Sequence, residues 1–243
     1  MSPLIYAHRG ASGQYPENTM IAFRAAEKKR AYGLEMDVQL SADDKLVVIH
    51  DHQLERTTNG SGWVRQNDWN TLRQLRADRS AARRFPQARI PSLREVFEEF
   101  APSGLHFILE LKNLLVPQPG LEEKLIEMIR RYQLTERTVV SSFNYDSLLR
   151  IKELDPHQTT GLLYIGTLSA PWEVAVRYQA NQLHVPYDQL TPALVRESRK
   201  QGCPVIGWTV NSEREIRTAI QAGVDGIITN FPGRARKILR SPS

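Results

Sequence analysis

The sequence predicts an α/β protein that folds as a (β/α)8 barrel, the TIM-barrel architecture, and two observations support this prediction. The chain has 243 residues, close to the roughly 250 that are typical of such a barrel. Short apolar runs alternate with amphipathic stretches of helical period, which is the pattern of a parallel sheet wrapped in helices. Because a chain of this length can bury a large core as one unit, we expect residues 1–243 to form a single barrel domain.

Eight apolar runs fit the strands of the barrel, and amphipathic stretches fit most of the helices between them. The predicted strands are Leu4–Ala7, Gly33–Val38, His106–Leu111, Arg137–Ser141, Thr159–Tyr164, Gln182–Val185, Val205–Thr209 and Gly226–Thr229. The predicted helices are Asn18–Ala31, Leu121–Tyr132, Tyr145–Leu154, Pro192–Lys200, Glu213–Ala222 and Pro232–Leu239. Two of these helices begin at a proline, a residue that the first turn of a helix tolerates well.

One segment breaks the alternation after the second barrel strand. Leu46–Ile49 has the composition of a further strand, but only the short polar segment Ser41–Lys45 separates it from the strand before it. So short a connection predicts an antiparallel hairpin rather than a crossover. A two-residue turn would place His50 opposite Asp37, and a longer loop would shift this pairing by a residue or two.

Residues 51–90 follow this hairpin and have no place in the strand–helix alternation. The segment Thr57–Gly62 has the composition of a turn, and a helix over Ser92–Phe100 resumes the barrel pattern. We therefore expect 51–90 to be a small insertion after the second-strand hairpin.

Charge and composition exclude several classes of partner. Lys plus Arg exceed Asp plus Glu by 32 − 27 = 5, but the basic residues are dispersed, and the densest run, Arg234–Lys237, suits the end of a helix. No run approaches the ~18 apolar residues of a membrane span, and the first residues do not resemble a leader peptide. With a single cysteine, Cys203, an internal disulfide is excluded. We expect a cytoplasmic protein that binds no nucleic acid and does not associate stably with membranes. The sequence does not determine its oligomeric state.

Three carboxylates fall near the C-terminal ends of predicted strands, where (β/α)8 barrels gather their reactive groups. Glu35 and Asp37 are two residues apart on the second strand, so both side chains point to one face. Glu110 lies at the end of the third strand. Hard oxygen donors with room for water suit Mg²⁺ or Ca²⁺ better than zinc, so we expect one divalent cation. The alternative is a buried network in which Glu35 and Glu110 pair with Arg9 or Lys112.

Two histidines come to the same mouth of the barrel. His8 ends the first strand, and His50 ends the return strand of the hairpin. Because histidine titrates near neutral pH, two histidines beside a cation can act as general acid and general base. The alternative is that one of them is a metal ligand or a packed core group.

Further residues at the mouth predict recognition of a phosphorylated polyol. Arg9 and Lys112 bring positive charge that suits a phosphate, although Arg9 would also neutralise the acidic cluster. Trp208 ends a strand, where it can stack on a small polyol or close the barrel. The segment Pro16–Thr19 could place Glu17 near the site, but a helix start explains Asn18 fully, and we favour a cap at Asn18.

The ordered set of motifs resembles the glycerophosphodiester phosphodiesterase family, of the bacterial cytoplasmic type. The motifs that carry the resemblance are His8-Arg9-Gly10-Ala11, Pro16-Glu17-Asn18-Thr19, Glu35-Met36-Asp37-Val38, His50-Asp51 with Leu54 and Arg56-Thr57-Thr58, Glu110-Leu111-Lys112, Trp208-Thr209-Val210-Asn211 and Thr229-Asn230. The resemblance implies His8 and His50 as the catalytic pair, with Arg9 assisting. It implies that the three carboxylates bind the metal, that Lys112 lies near the phosphate and that Trp208 lies beside the glycerol.

The activity implied by this resemblance is metal-dependent hydrolysis of glycerophosphodiesters such as glycerophosphocholine and glycerophosphoethanolamine. The products would be sn-glycerol 3-phosphate and an alcohol. Ser141, Ser142 and Cys203 lack the setting of a nucleophile, which leaves direct attack by water or attack by the glycerol 2-hydroxyl. We expect the second route, because it is intramolecular. Two alternatives stay open: a phospholipase-like enzyme (a lysophospholipase D) on the same barrel, and a non-catalytic barrel that binds a phosphorylated polyol.

Overall fold

Eight parallel strands close into a barrel in the structure, a computed structural model that describes residues 2–79 and 84–240. The barrel strands are β1 (Leu4–His8), β2 (Gly33–Leu40), β4 (His106–Leu111), β5 (Thr138–Ser142), β6 (Thr159–Leu163), β7 (Gln182–Pro186), β8 (Val205–Trp208) and β9 (Gly226–Thr229), and β3 (Leu46–Val48) lies outside their order. Pairing of β1 with both β2 and β9 closes the ring. The predicted (β/α)8 barrel is confirmed, and each predicted strand agrees within two residues.

Helices cover the outside of the barrel. They are α1 (Met20–Lys28), α2 (Trp69–Leu72), α3 (Leu93–Phe100), α4 (Leu121–Arg131), α5 (Tyr145–Leu154), α6 (Pro171–Arg177), α7 (Pro192–Lys200), α8 (Glu213–Ala222) and α9 (Pro232–Arg240). The predicted helices are confirmed, whereas the short helices α2 and α6 were not predicted. In the described ranges, no helix is long and apolar enough to cross a membrane.

The first helix begins later than the sequence suggested. Thr19 is its N-cap and accepts a hydrogen bond from the backbone N–H of Ala22, so the interpretation of Asn18 as the cap is wrong. Asn18 instead has a positive φ of 54° and donates its side-chain N–H to Asp37 Oδ2 at 2.7 Å. The backbone conformation and the hydrogen bond direct Asn18 into the barrel mouth rather than along the helix.

The predicted hairpin of β2 and β3 is confirmed, with a loop one residue longer than a two-residue turn. Val38 pairs with Val48 and Leu40 with Leu46, and Asp44 takes the left-handed conformation, with φ 60°, which closes three-residue hairpin loops. The register therefore shifts by one residue, and Ile49 rather than His50 bonds to the backbone of Asp37. His50 still follows directly at the mouth.

The second strand exchanges partners halfway along its length. Its first three residues, Gly33–Glu35, pair with β1, whereas the segment Val38–Leu40 pairs with β3 on that side. Because β1 ends at His8, the pair of His8 and Glu35 is the last between β1 and β2. Asp37 therefore lies beyond the last residue of β1, where β2 still pairs with β4 on its other side.

The insertion lies beside the hairpin of β2 and β3. Within its described part, apolar side chains form a small cluster with β3, made of Val47, Ile49, Leu54, Val64, Leu72, Ala77 and Ile90. Residues 80–83 of the predicted insertion lie outside the described residues. The cluster anchors the segment that carries Asp51 and Arg56 against the hairpin.

Alternate residues of the barrel strands face opposite layers. Met36 and Val38 pack toward the helices, as predicted, and Tyr6, Ile108 and Ile206 contribute to a separate apolar cluster inside the barrel. Glu35, Asp37 and Glu110 follow the inward set toward the mouth. The interior is therefore apolar in its depth and strongly polar where the strands end.

Candidate active site

The three predicted carboxylates converge at the mouth of the barrel. Asp37 and Glu110 are register partners on β2 and β4, and Glu35 is the inward residue before Asp37. One oxygen from each side chain lies within 4.8 Å of the others. Asp37 is fully buried and Glu35 is 3% exposed, so these charges are removed from water, which is unfavourable without compensation.

Burial and mutual repulsion divide the three acids into two kinds. Burial and, second, the negative charge of Asp37 raise the pKa of Glu35 well above its ordinary value. The same two causes raise the pKa of Glu110 to about 7. Burial alone would raise the pKa of Asp37 too, but nearby cations, Arg9 first among them, hold it below its ordinary value. Asp37 is therefore the firmly charged member of the cluster.

The cluster fits a hard divalent cation. Asp37 Oδ1 is buried and has no hydrogen-bond partner, although Lys112 Nζ lies 3.8 Å away. Glu110 Oε1 accepts from Lys112 Nζ at 2.6 Å. The alternative ion-pair network is thus present in part, yet it leaves one oxygen of the charged carboxylate free. Oxygen donors without cysteine or histidine are the set that Mg²⁺ and Ca²⁺ prefer.

Arg9 contacts both the acidic cluster and Glu17, in the segment before the first helix. Its backbone has a positive φ of 54° and donates its N–H to Glu35 Oε2 at 2.9 Å. Its Nη1 donates to Glu17 Oε1 at 2.8 Å, while Nε lies 3.1 Å from Asp37 Oδ2 without the angle of a hydrogen bond. A left-handed conformation in a residue other than glycine persists where surrounding contacts impose it, and here they fix the guanidinium over Asp37.

His8 is held through one of its two ring nitrogens. Its Nδ1 lies 2.6 Å from Asn230 Oδ1, an oxygen that also accepts from the hydroxyl of Ser12 at 3.1 Å. Because that oxygen can only accept, Nδ1 carries the hydrogen and Nε2 keeps its lone pair. Burial, and then the charge of Arg9, lowers the pKa of His8 to about 4. The ring is therefore neutral at neutral pH.

His50 is held in the same way by a carboxylate. Its Nδ1 lies 2.6 Å from Asp51 Oδ1, so Nε2 is again the free nitrogen. Burial lowers the pKa of His50, with Arg9 and Lys112 adding to it, while Asp37 opposes the shift. The two histidines thus present equivalent nitrogens, one backed by a neutral amide and the other by a carboxylate.

Arg56 was not assigned a role from the sequence, yet it joins two parts of the site. It donates Nε to Asp51 Oδ2 at 2.5 Å and Nη1 to Glu17 Oε2 at 2.9 Å. Glu17 in turn accepts from Arg9. The result is a continuous chain of ion pairs from the carboxylate behind His50 to the arginine over the acidic cluster.

Sequence reasoning also missed Asn18, Asp51 and Asn230. The adjacent pair His50-Asp51 carried a signal, because a carboxylate next to a histidine can orient its ring. Asn230 appeared only within the motif Thr229-Asn230, without a role, since it lies 222 residues from its partner His8 and only closure of the barrel brings them together.

A cavity of about 630 Å³ is lined by most of the predicted site residues, but not by the buried Glu35 and Asp37. It is lined by His8, Arg9, His50, Asp51, His52, Gln53, Trp63, Glu110, Leu111, Lys112, Leu114, Leu115, Phe143, Ile165 and Trp208. Trp208 packs edge-on against Phe143, with ring centroids 5.7 Å apart, and donates Nε1 to the carbonyl of His184. Glu17, which pairs with Arg9 and Arg56, does not line this cavity. Its predicted contact with substrate stays a prediction.

Comparison with known proteins finds relatives that match nearly the whole chain. A model of the glycerophosphoryl diester phosphodiesterase family matches residues 8–234. A glycerophosphodiester phosphodiesterase from Caldanaerobacter subterraneus subsp. tengcongensis is 42% identical over 240 residues, which are 99% of this chain and 99% of that protein. Another, from Bacillus altitudinis, is 39% identical and covers 96% of this chain and 97% of its own.

Among solved structures, a phosphodiesterase from Oleispira antarctica in complex with the product sn-glycerol-3-phosphate has the same fold. Its TM-score to this chain is 0.89 at 30% identity, covering 99% of this chain and 98% of that one. The matches span nearly the whole length and agree with the resemblance that the motifs predicted. The chain therefore belongs to the glycerophosphoryl diester phosphodiesterase family.

Proposed function

We propose that this protein hydrolyses glycerophosphodiesters, such as glycerophosphocholine and glycerophosphoethanolamine, to sn-glycerol 3-phosphate and an alcohol. The observation that carries the proposal is the pair His8 and His50, each fixed through Nδ1. They line one cavity with Arg9, Lys112 and Glu110, and Glu110 belongs to the acidic cluster with Glu35 and Asp37. Relatives bearing the name of this activity support it, as does the product complex of the related Oleispira enzyme.

Glu35, Asp37 and Glu110 would hold one divalent cation, Mg²⁺ or Ca²⁺. Bound there, such a cation supplies Lewis-acid stabilisation of charge on the phosphate and lowers the pKa of a coordinated hydroxyl. Arg9 and Lys112 bind the phosphate, because both are charged and line the cavity at the cluster. Trp208 lies across the same cavity and provides the apolar wall for the glycerol carbons.

The two histidines move the protons. One Nε2 takes the proton from the attacking hydroxyl and the other gives a proton to the departing alkoxide. Asp51 stabilises the protonated form of His50, while the amide of Asn230 orients His8 without adding charge. Both rings are neutral before substrate binds, since the pKa of each is lowered. The ring that acts as general acid therefore takes up a proton from solvent at Nε2 when the anionic phosphate binds beside it, because an adjacent negative charge raises the pKa of a histidine.

The glycerol 2-hydroxyl is the proposed nucleophile. Ser141 is buried and does not line the cavity, Ser142 donates its hydroxyl to the backbone of Leu111, and Cys203 packs in the core among the helices. Well-oriented intramolecular attack gains about 7–11 kcal/mol over a bimolecular step. A cyclic glycerol phosphate forms first, and water then opens it with the histidines in exchanged roles.

The architecture of the proposed enzyme is one barrel domain, residues 1–243, with 51–90 as an insertion that completes its mouth. The protein's partner is a small-molecule diester, and the proposal includes neither nucleic-acid binding nor a stable membrane association. We place the protein in the cytoplasm. The absence of an internal disulfide in a chain with one cysteine supports that compartment.

The test is turnover of glycerophosphocholine, followed by release of glycerol phosphate, before and after exhaustive chelation. We expect chelation to abolish turnover and added Mg²⁺ or Ca²⁺ to restore it. Asp37→Asn should lose most of the metal affinity, whereas Glu127→Gln, at an exposed position on α4, should behave as the parent. A parent enzyme that binds substrate without turnover under any metal condition would show a binding protein instead.

A further inference from the structure

Glu17 lies between two arginines at the edge of the candidate active site. Its Oε1 accepts a hydrogen bond from Arg9 Nη1 at 2.8 Å and another from Arg56 Nη2 at 2.8 Å. Its Oε2 accepts from Arg56 Nη1 at 2.9 Å. Of the residues that the structure describes, Glu17 alone is hydrogen-bonded to both guanidinium groups. A single carboxylate oxygen therefore joins the two arginine side chains.

The first arginine, Arg9, belongs to the end of the cavity that receives the phosphate. Its Nε lies 3.1 Å from Asp37 Oδ2, and its Nη1 donates to Glu17. No hydrogen bond joins its Nη2 to any residue in the described ranges, and the side chain lines the cavity. Because the guanidinium group is planar and its N–H groups have fixed directions, the bond from Nη1 to Glu17 sets the direction in which the free edge points.

The second arginine, Arg56, belongs to the end of the site that holds His50. It donates Nε and Nη2 to the two oxygens of Asp51, and Asp51 in turn holds His50 Nδ1. Arg56 comes from the insertion, whereas Glu17 comes from the connection between β1 and α1. The hydrogen bonds of Glu17 thus attach the insertion to the barrel next to the carboxylate that orients His50.

We propose that Glu17 is a positioning residue that couples the phosphate-binding Arg9 to His50 of the acid–base pair, without touching the substrate. The inference rests on the proposed diesterase function and adds to it a residue that does not line the cavity. Through Arg9, Glu17 sets where the phosphate is held, and through Arg56 it sets the orientation of His50. One carboxylate thereby controls the placement of the phosphate relative to the ring, and a misplacement of about 1 Å can cost about a hundredfold in rate.

The contact between Glu17 and Arg56 serves orientation more than stability. The side chain of Arg56 is 45% exposed, and an ion pair in contact with water contributes little to the free energy of unfolding. The contact is nevertheless bidentate, and a bidentate arginine–carboxylate pair fixes direction as well as distance. Arg24 and Glu99 form a bidentate pair of the same kind between α1 and α3, and neither lines the cavity. The two pairs should therefore contribute similarly to stability but differ in their effect on turnover.

The experiment compares Glu17→Gln with the matched control Glu99→Gln. Glutamine keeps the shape of Glu17 but turns an N–H donor toward one of the arginines. Glu17→Gln should lower kcat for glycerophosphocholine and raise the Kd for sn-glycerol 3-phosphate, measured by calorimetric titration, each by at least about threefold, the effect of one lost hydrogen bond. Glu17→Asp restores the charge and should recover part of both losses. Glu99→Gln should leave both quantities unchanged, and thermal melting should show the same small shift in Glu17→Gln and Glu99→Gln.

A double-variant cycle with Asp51→Asn measures the coupling itself. Asp51→Asn alone lowers kcat, because it removes the carboxylate that orients His50. In the Glu17→Gln background the same change should lower kcat by a factor at least about threefold smaller, since residues of one ion-pair network are not independent. In the Glu99→Gln background, Asp51→Asn should lower kcat by its full factor.

The outcomes separate this inference from the diesterase function. No turnover by the metal-loaded parent overturns the diesterase function and the inference with it. Turnover by the parent, with Asp51→Asn costing the same factor in all backgrounds, overturns the coupling and leaves the diesterase standing. A Glu17→Gln variant that loses affinity for sn-glycerol 3-phosphate but keeps kcat indicates a direct contact with the substrate and also overturns the coupling. A much lower melting temperature in Glu17→Gln than in Glu99→Gln would show a structural role instead.

Discussion

His50 and Asp51 are adjacent in the chain, yet their side chains form a hydrogen-bonded pair, with Nδ1 2.6 Å from Oδ1. The contact fixes the tautomer of His50 and offers negative charge to its protonated form. Arg56 holds both oxygens of the same carboxylate, so Asp51 cannot rotate away. The insertion thereby takes part in the site, since it supplies both the carboxylate and the arginine.

Replacing Asp51 by Asn should lower kcat for glycerophosphocholine by at least about tenfold, because an amide can hold the wrong tautomer of His50 and does not stabilise imidazolium. Arg56→Gln should cause a smaller loss, and Arg56→Lys should restore part of it. The positioning role is read from the pH profile of kcat, in which the limb that reports His50 should move. An Asp51→Asn enzyme with the parent rate and pH profile would contradict it.

Alanine in place of His8 or His50 should lower kcat by about 10²–10⁴-fold, the usual contribution of a general acid or base. The double variant should lose less than the product of the two, since the pair acts as a unit. Circular dichroism and thermal melting check that each variant is folded. His157→Ala, at an exposed position, is the control, and a folded His8→Ala enzyme with near-parent kcat would exclude His8.

The sequence predicted the barrel well because its strongest signals are local. Helices α7 and α9 begin at the prolines that predicted their first turns, Pro192 and Pro232. Helices α2 and α6 were missed because four and seven residues are too short for a clear helical period.

The site was predictable in its residue types but not in all of its contacts. Glu35 and Asp37 follow from a spacing of two on a strand. The register of His50 could not be predicted, because it depends on the left-handed conformation of Asp44. Asn18 was misassigned as the helix cap because Thr19 beside it is an equally good cap. The contact of Asn230 with His8 could not be predicted, because it requires the closed barrel.

The acidic cluster should make the metal-free protein less stable as pH rises. Glu110 has an ordinary pKa of 4.5 when unfolded and about 7 when folded, so the folded state binds more protons between these values. Its contribution to the free energy of unfolding is therefore lost as pH rises from about 4.5 to 7, by on the order of 1–3 kcal/mol. Urea unfolding after chelation measures it.

Glu110→Gln removes this titration, so the metal-free variant should show a flatter dependence of stability on pH and exceed the parent at pH 8. The same variant should gain less than the parent from added cation, because one ligand has lost its charge. Glu127→Gln controls for removal of a surface charge. An unchanged pH dependence in Glu110→Gln would mean that the carboxylates do not repel one another as their geometry requires.

A substrate analogue with hydrogen in place of the glycerol 2-hydroxyl tests the source of the nucleophile. The analogue should bind, because its phosphate still contacts Arg9 and Lys112, yet turn over at least about a hundredfold more slowly, since the gain from intramolecular attack is lost. Competitive inhibition of glycerophosphocholine turnover measures its binding independently of its reaction. With the parent substrate, phosphorus NMR under slow turnover should detect a cyclic glycerol phosphate. Equal kcat for analogue and parent would show that water attacks directly, and the cyclic intermediate would then be excluded.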